Sequence, residues 1–187
     1  MEDLRAVSAS AGSPASLDED MQRQLSLVRA QGDAYGEAPD YVARHVARDS
    51  GQSRAGDLWI CYLAFRPGEG VVTSEDRRPA GRDDVRLGIA VQDAADGRFV
   101  PNVEVRVTAI RSDGTEDGPH RHALAWHPVL YQYVREWPAV GDDVRRLRVN
   151  VRSPIASATD PDREHLRSGV DVLFDDVSLL GGRTATS

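Results

Sequence analysis

Two periodicities divide the chain near residue 56. Before it, apolar residues recur at helical spacing: in "SLDEDMQRQLSLVRAQGDAYG", Met21, Leu25 and Val28 fall four and three positions apart and line one side of a helix. Ser16 with Glu19 offers a capping box, acidic residues fill the first turn, Arg29 lies near the end and Gly32 follows. The stretch "APDYVARHVARDSG" predicts a second helix, with Pro39 near its start, Tyr41, Val42, His45 and Val46 along one side, and Gly51 as its stop. Beyond residue 56 the pattern alternates. "DLWICYLAF" is a β-rich apolar run, and "DVRLGIAVQDA" sets Val85, Leu87, Ile89 and Val91 on one face against Arg86, Gly88, Ala90 and Gln92 on the other. "PNVEVRVTAI" alternates through Val103, Val105 and Val107, "RRLRVNVR" through Leu147, Val149 and Val151, and "GVDVLFDDVSL" ends the series. Asp96-Gly97 and Asp113-Gly114 mark turns. Short alternating strands at regular spacing predict a mainly β chain, an antiparallel β-sandwich with an N-terminal helical extension. The expected division is a disordered tail at 1–15, a helical extension at 16–55, the sandwich at 56–181 and a flexible tail at 182–187.

Composition narrows the function classes. The 187 residues are enough for one domain with a core of its own. A formal charge of −7 and a pI near 5.2 argue against nucleic acid and against an anionic membrane surface, both of which ask for a basic face. Every basic residue is Arg. The single cysteine, Cys61, excludes an internal disulfide, and its apolar setting predicts a buried, unreactive thiol. The first residues carry no apolar signal core, and no run approaches the roughly 18 apolar residues of a membrane span; as written, the chain is expected to be cytoplasmic, with no membrane span. It has no phosphate-binding glycine loop, CxxC pair, HExxH or nucleophile elbow, so no motif favours an enzyme.

The candidate chemistry lies in histidine and aromatic residues. "AWHPVLYQYVREW" holds four of the chain's eleven aromatic residues, Trp126, Tyr131, Tyr133 and Trp137, together with His127. His120 and His122 share a strand face just before it, His165 follows in "DREHLRSG", and His45 is on the second helix. Converging imidazoles make a transition-metal site, whereas single histidines are usually structural. The aromatic residues are expected to pack at the mouth of the sandwich, with wet polar tips.

From "GQSRAGDLWICYLAFRPGEG" onward, over about residues 52–180, the chain resembles the bacterial iron-uptake-associated periplasmic proteins, ferrous-iron/copper-binding partners of an iron permease. "RLGIAVQDAADGRFVPNVEVRVTAI" is similar to that family's ligand-bearing strand, turn and next strand, and "LAWHPVLYQYVREWPAVGD" to its central segment. The resemblance implies an immunoglobulin-like sandwich, homodimerisation, no enzymatic activity, a metal permease or another protein as partner, and a periplasmic or extracellular setting. It also implies a depleted metal site. Arg86, Gly88, Ala90 and Gln92 stand where the family alternates His and acidic residues, and Gln132 stands where a His is expected. His127 falls at a Met position and His165 at a His position, so these two are the implied metal ligands. Trp126, Tyr131, Gln132, Tyr133 and His122 are expected to line the site, which would hold Cu2+, Fe2+ or Zn2+ weakly. The alternative is a metal-free sandwich that docks a partner or itself through residues 125–137 and the helices.

Overall fold

The computed structural model describes residues 14–66, 84–125, 130–138, 140, 142–152 and 169–180. One helix, α1 (Pro14–His45), precedes eight strands: β1 (Asp49–Ala55), β2 (Leu58–Phe65), β3 (Val85–Asp93), β4 (Glu104–Arg111), β5 (Glu116–Ala125), β6 (Gln132–Trp137), β7 (Val144–Arg152) and β8 (Val170–Phe174). The strands are antiparallel throughout and run in the order β1-β2-β3-β6-β5-β4-β7-β8, a mainly β, sandwich-like sheet that nearly closes on itself.

Strand β5 makes the sandwich out of one sheet. Its first part, up to His122, pairs with β4, while Ala123–Ala125 pair with Val134, Tyr133 and Gln132 of β6. The register with β4 slips between Val107 and Ala109, opposite Gly118. Gly118 has a φ of 132°, and a Cβ there would lie 2.7 Å from the Val107 carbonyl oxygen, so the bend needs glycine. β1, β2, β3 and β6 thus form one layer and β4, β7 and β8 the other, with β5 passing between them.

The space between the layers is filled by the alternating residues. Val85, Leu87, Ile89 and Val91 of β3 meet Val105 and Val107 of β4 and Leu147, Val149 and Val151 of β7, all buried to 1% exposure or less. At the open end, β1 and β8 approach each other. Asp49 accepts hydrogen bonds from the Tyr62 hydroxyl at 3.0 Å and the Ser178 amide at 2.7 Å, and Tyr62 meets Phe174 edge to face.

The helical expectations need correction in three respects. α1 is one helix of 32 residues, not two; it starts before Ser16, and it runs through Gly32 and Pro39. Proline inside a helix removes a hydrogen bond and crowds the preceding turn. Here Ala38 and Pro39 are both buried, and packing on the sheet outweighs the local signal. The helix also ends at His45 rather than near Gly51, because Asp49–Ala55 is an edge strand. The Arg48 amide donates to the Ala64 carbonyl at 2.8 Å and starts that pairing.

The outer face of the first layer is therefore not solvent. Ala38 packs with Cys61, Leu63, Phe65, Ala90 and Leu130, and Val42 and Ala43 of the helix join with Ala47 just past its end. All nine residues of β3 are buried, on both faces.

Candidate functional site

Of the expected site residues, His127, His165 and Trp126 lie outside the described residues. The others divide between two faces of the first layer. Tyr131 and Tyr133 each stack against Phe99, at centroid distances of 5.3 and 5.7 Å. The Tyr133 hydroxyl donates to the Val100 carbonyl at 3.0 Å and accepts from the Val103 amide at 3.1 Å. Burial pushes its pKa up, so it remains a neutral donor that fastens the segment before β4. Tyr133 and Trp137 belong to the core between the layers.

His122 faces that same interior at the point where β5 leaves β4 and joins β6. It is 2% exposed. The Trp137 indole Nε1–H donates to His122 Nε2 at 3.4 Å, and His122 Nδ1 lies 3.2 Å from the His120 carbonyl oxygen. Nε2 is thus an acceptor and Nδ1 a donor, which fixes the neutral tautomer and uses both ring nitrogens. Burial lowers the pKa of His122 from 6.5 to about 4. His120 stacks edge-on against Trp137 at 4.9 Å, and its Nε2 bonds Asp117 at 2.7 Å. The sequence signal for this cluster was two histidines two apart on a strand, with an Asp three residues earlier; what could not be read was the indole that completes it.

Gln132 occupies the opposite, outer face. Its side chain lies over Gly88: a Cβ on Gly88 would overlap the Gln132 amide oxygen and sit 2.9 Å from its Cδ. Gln132 is 2% exposed, and its Oε1 has no hydrogen-bond donor. Two positions along β3, Arg86 is 3% exposed, with its Nε 3.5 Å from Glu136 and also without a hydrogen bond. Burial lowers the pKa of Arg86, and Glu136 opposes that shift. At the far end, Gln92 Nε2 donates to the carbonyls of Gly36 on α1 and Gly97 in the turn after β3, at 3.2 and 2.9 Å. Beside it opens a crevice of about 540 Å³ between α1 and the sheet, lined by Asp33, Glu37, Asp40, Asp96 and Trp59 among others.

Metal chemistry fits the described part of this face poorly. Arg86, Gly88, Ala90 and Gln92 supply a cation, two groups without donors and an amide already engaged with backbone. Cys61 neighbours Ala90, but burial pushes its thiol up to about 12, with Asp40 adding to the shift, so a thiolate is disfavoured. Among the described residues, no group of three or more His, Cys, Asp or Glu could hold an ion. Gln132 Oε1 is the one described oxygen on the face that is both buried and undonated.

Comparison with known proteins gives the fold its relatives. No protein-family model matches the chain, and no curated protein matches it in sequence. Among solved structures, the chain is similar to FetP of a uropathogenic Escherichia coli strain, recombinantly expressed in the periplasm, with 14% identity over 67% of this chain and 91% of that one and a TM-score of 0.51. A copper-bound FetP variant gives 15% identity, coverage of 69% and 95%, and a TM-score of 0.50. A copper-bound variant of P19 from Campylobacter jejuni gives 12%, 71% and 96%, and 0.53. The class is thus an antiparallel sandwich of the FetP and P19 type, at low sequence identity. In this chain α1 packs on the outer face of the first layer.

Proposed function

We propose that this chain is a non-enzymatic, metal-uptake-associated sandwich protein in which the outer strand face serves packing, leaving ion binding to His127 and His165. One observation carries the proposal: the β3 face where the resemblance expects ligands bears Arg86, Gly88, Ala90 and Gln92, and it is filled by α1 and Gln132. The copper named for the FetP and P19 variants supports Cu2+ as the first ion to try. Two imidazoles alone make a weak site, so a third donor from water, Gln132 or a partner chain would complete it. An uptake role also places the working protein outside the cytoplasm, which cell fractionation would check.

Calorimetric titration with Cu2+ tests the site. Wild type should bind with modest affinity, His127→Ala and His165→Ala should each bind at least tenfold more weakly, and binding should weaken as pH falls below about 6.5, because a protonated imidazole cannot ligate. Equal binding by wild type and both variants would overturn the assignment. Absence of binding in wild type would leave the second reading, a metal-free docking module. That reading is favoured by exposed apolar residues along α1, Met21, Leu27 and Tyr41 among them.

A further inference from the structure

The second layer turns an arginine face outward. Val105 and Val107 of β4, Leu147, Val149 and Val151 of β7 and Val172 of β8 belong to the core, so the residues between them point out. On that outer side Arg148 stands opposite Leu173, Arg106 stands opposite both Arg121 and Asn150, and Arg152 stands opposite Glu104. Successive outward positions on a strand are about 6.7 Å apart. Three neighbouring rows thus carry Arg148, then Arg106 with Arg121, then Arg152, and all four side chains are exposed.

This placement is not one that stability favours. Like charges directly across a strand pair are destabilising, and Arg106 faces Arg121 in register. Arg106, Arg121 and Arg152 also crowd a single carboxylate. The hydrogen bond from Arg106 Nε, at 2.7 Å, and the charges of all three arginines hold Glu104 below the usual carboxylate range. In a chain of formal charge −7, such a face reverses the sign of the molecule locally. Charges in about 0.15 M salt act over about 8 Å, so a short acidic segment on this face is screened from the acidic remainder. A membrane surface or a nucleic-acid duplex extends past the face and meets that remainder. Leu173, 46% exposed beside Arg148, gives the face one apolar contact.

We infer that the outer face of β5, β4, β7 and β8 docks an extended acidic segment of a partner protein. Carboxylates at alternate positions of that segment meet the successive arginine rows, and an apolar side chain rests on Leu173. A guanidinium has five donors, so arginines already paired within the chain keep donors for a second carboxylate. The inference stands apart from the metal proposal, since it uses no histidine and no ion.

Fluorescence anisotropy of the full chain, without metal, tests it with a labelled peptide of alternating Glu and Ser that carries one Leu. Binding should be saturable at about 50 mM NaCl and about tenfold weaker at about 300 mM. Arg121→Glu and, on the next row, Arg152→Glu should each weaken it about tenfold again. The urea midpoint of Arg121→Glu should match or exceed that of wild type, because an opposite-charge pair replaces a like-charge one. Leu173→Ser should weaken binding of this peptide but not of the same peptide without Leu. Absence of saturable binding by wild type, charge reversals without effect, a Leu173→Ser variant that treats both peptides alike, or tighter binding of phosphatidylserine vesicles or duplex DNA would each overturn the inference.

Discussion

Gln132 holds a carbonyl oxygen out of water with no donor, in a position that only a glycine at 88 leaves open. Such an atom costs about 1–3 kcal/mol, so Gln132→Leu should raise stability by about 1 kcal/mol in denaturant unfolding. A loss of stability instead would mean that the amide has a donor in the folded protein. Gly88→Ala pushes against the same side chain and should cost about 1–3 kcal/mol, most of it recovered in Gly88→Ala/Gln132→Ala; thermal unfolding of the four-member cycle reads the coupling. His122 sets a pH dependence of definite sign. Its folded pKa is depressed, so the unfolded chain binds the proton more readily. Its contribution is complete above pH 6.5 and is lost as pH falls towards 4, an effect on the order of 3 kcal/mol. His122→Gln should flatten urea midpoints between those pH values, and an unchanged slope would sink the assignment.

At the scale of elements, the β3 outer face is matched to α1 by size. Ala90 and Ala38 share one buried cluster, and Gln92 reaches the helix backbone at Gly36. Ala90→Arg should release the helix, with a fall in helical circular dichroism while the β signal remains; a spectrum like that of wild type would show that α1 does not depend on this contact. Much of this level was legible in advance. β2, β3, β4, β7 and β8 each follow an apolar run or an alternation written in the sequence. β1 was not, because Asp49–Ala55 has no apolar alternation and is ordered by its ladder with β2 and by the two bonds to Asp49. Nor was the single helix: Gly32 and Pro39 are local stop signals, and burial of Ala38 and Pro39 overrides them. In the site region, the sequence offered residue types without faces. Gln132 and Tyr133 are neighbours in sequence yet lie on opposite sides of a sheet, and alternation tells that much only once the strand's start is known.

Across the whole molecule, both layers share one interior, and stability should be cooperative. Leu147→Ala removes a fully buried side chain from β7 and should cost about 2–5 kcal/mol in a single transition seen alike by near- and far-ultraviolet circular dichroism. Separate transitions would divide the layers. The near-closure of the sheet has a further consequence. A strand with a free rim is a template for other chains, and this sheet ends in two: β1, polar and interrupted by Gly51, and β8, five residues long. With Asp49 bonded to Ser178 just past β8 and Phe174 of β8 against Tyr62, the two rims guard each other, so the fold carries its own protection against stacking into fibrils when the protein is concentrated.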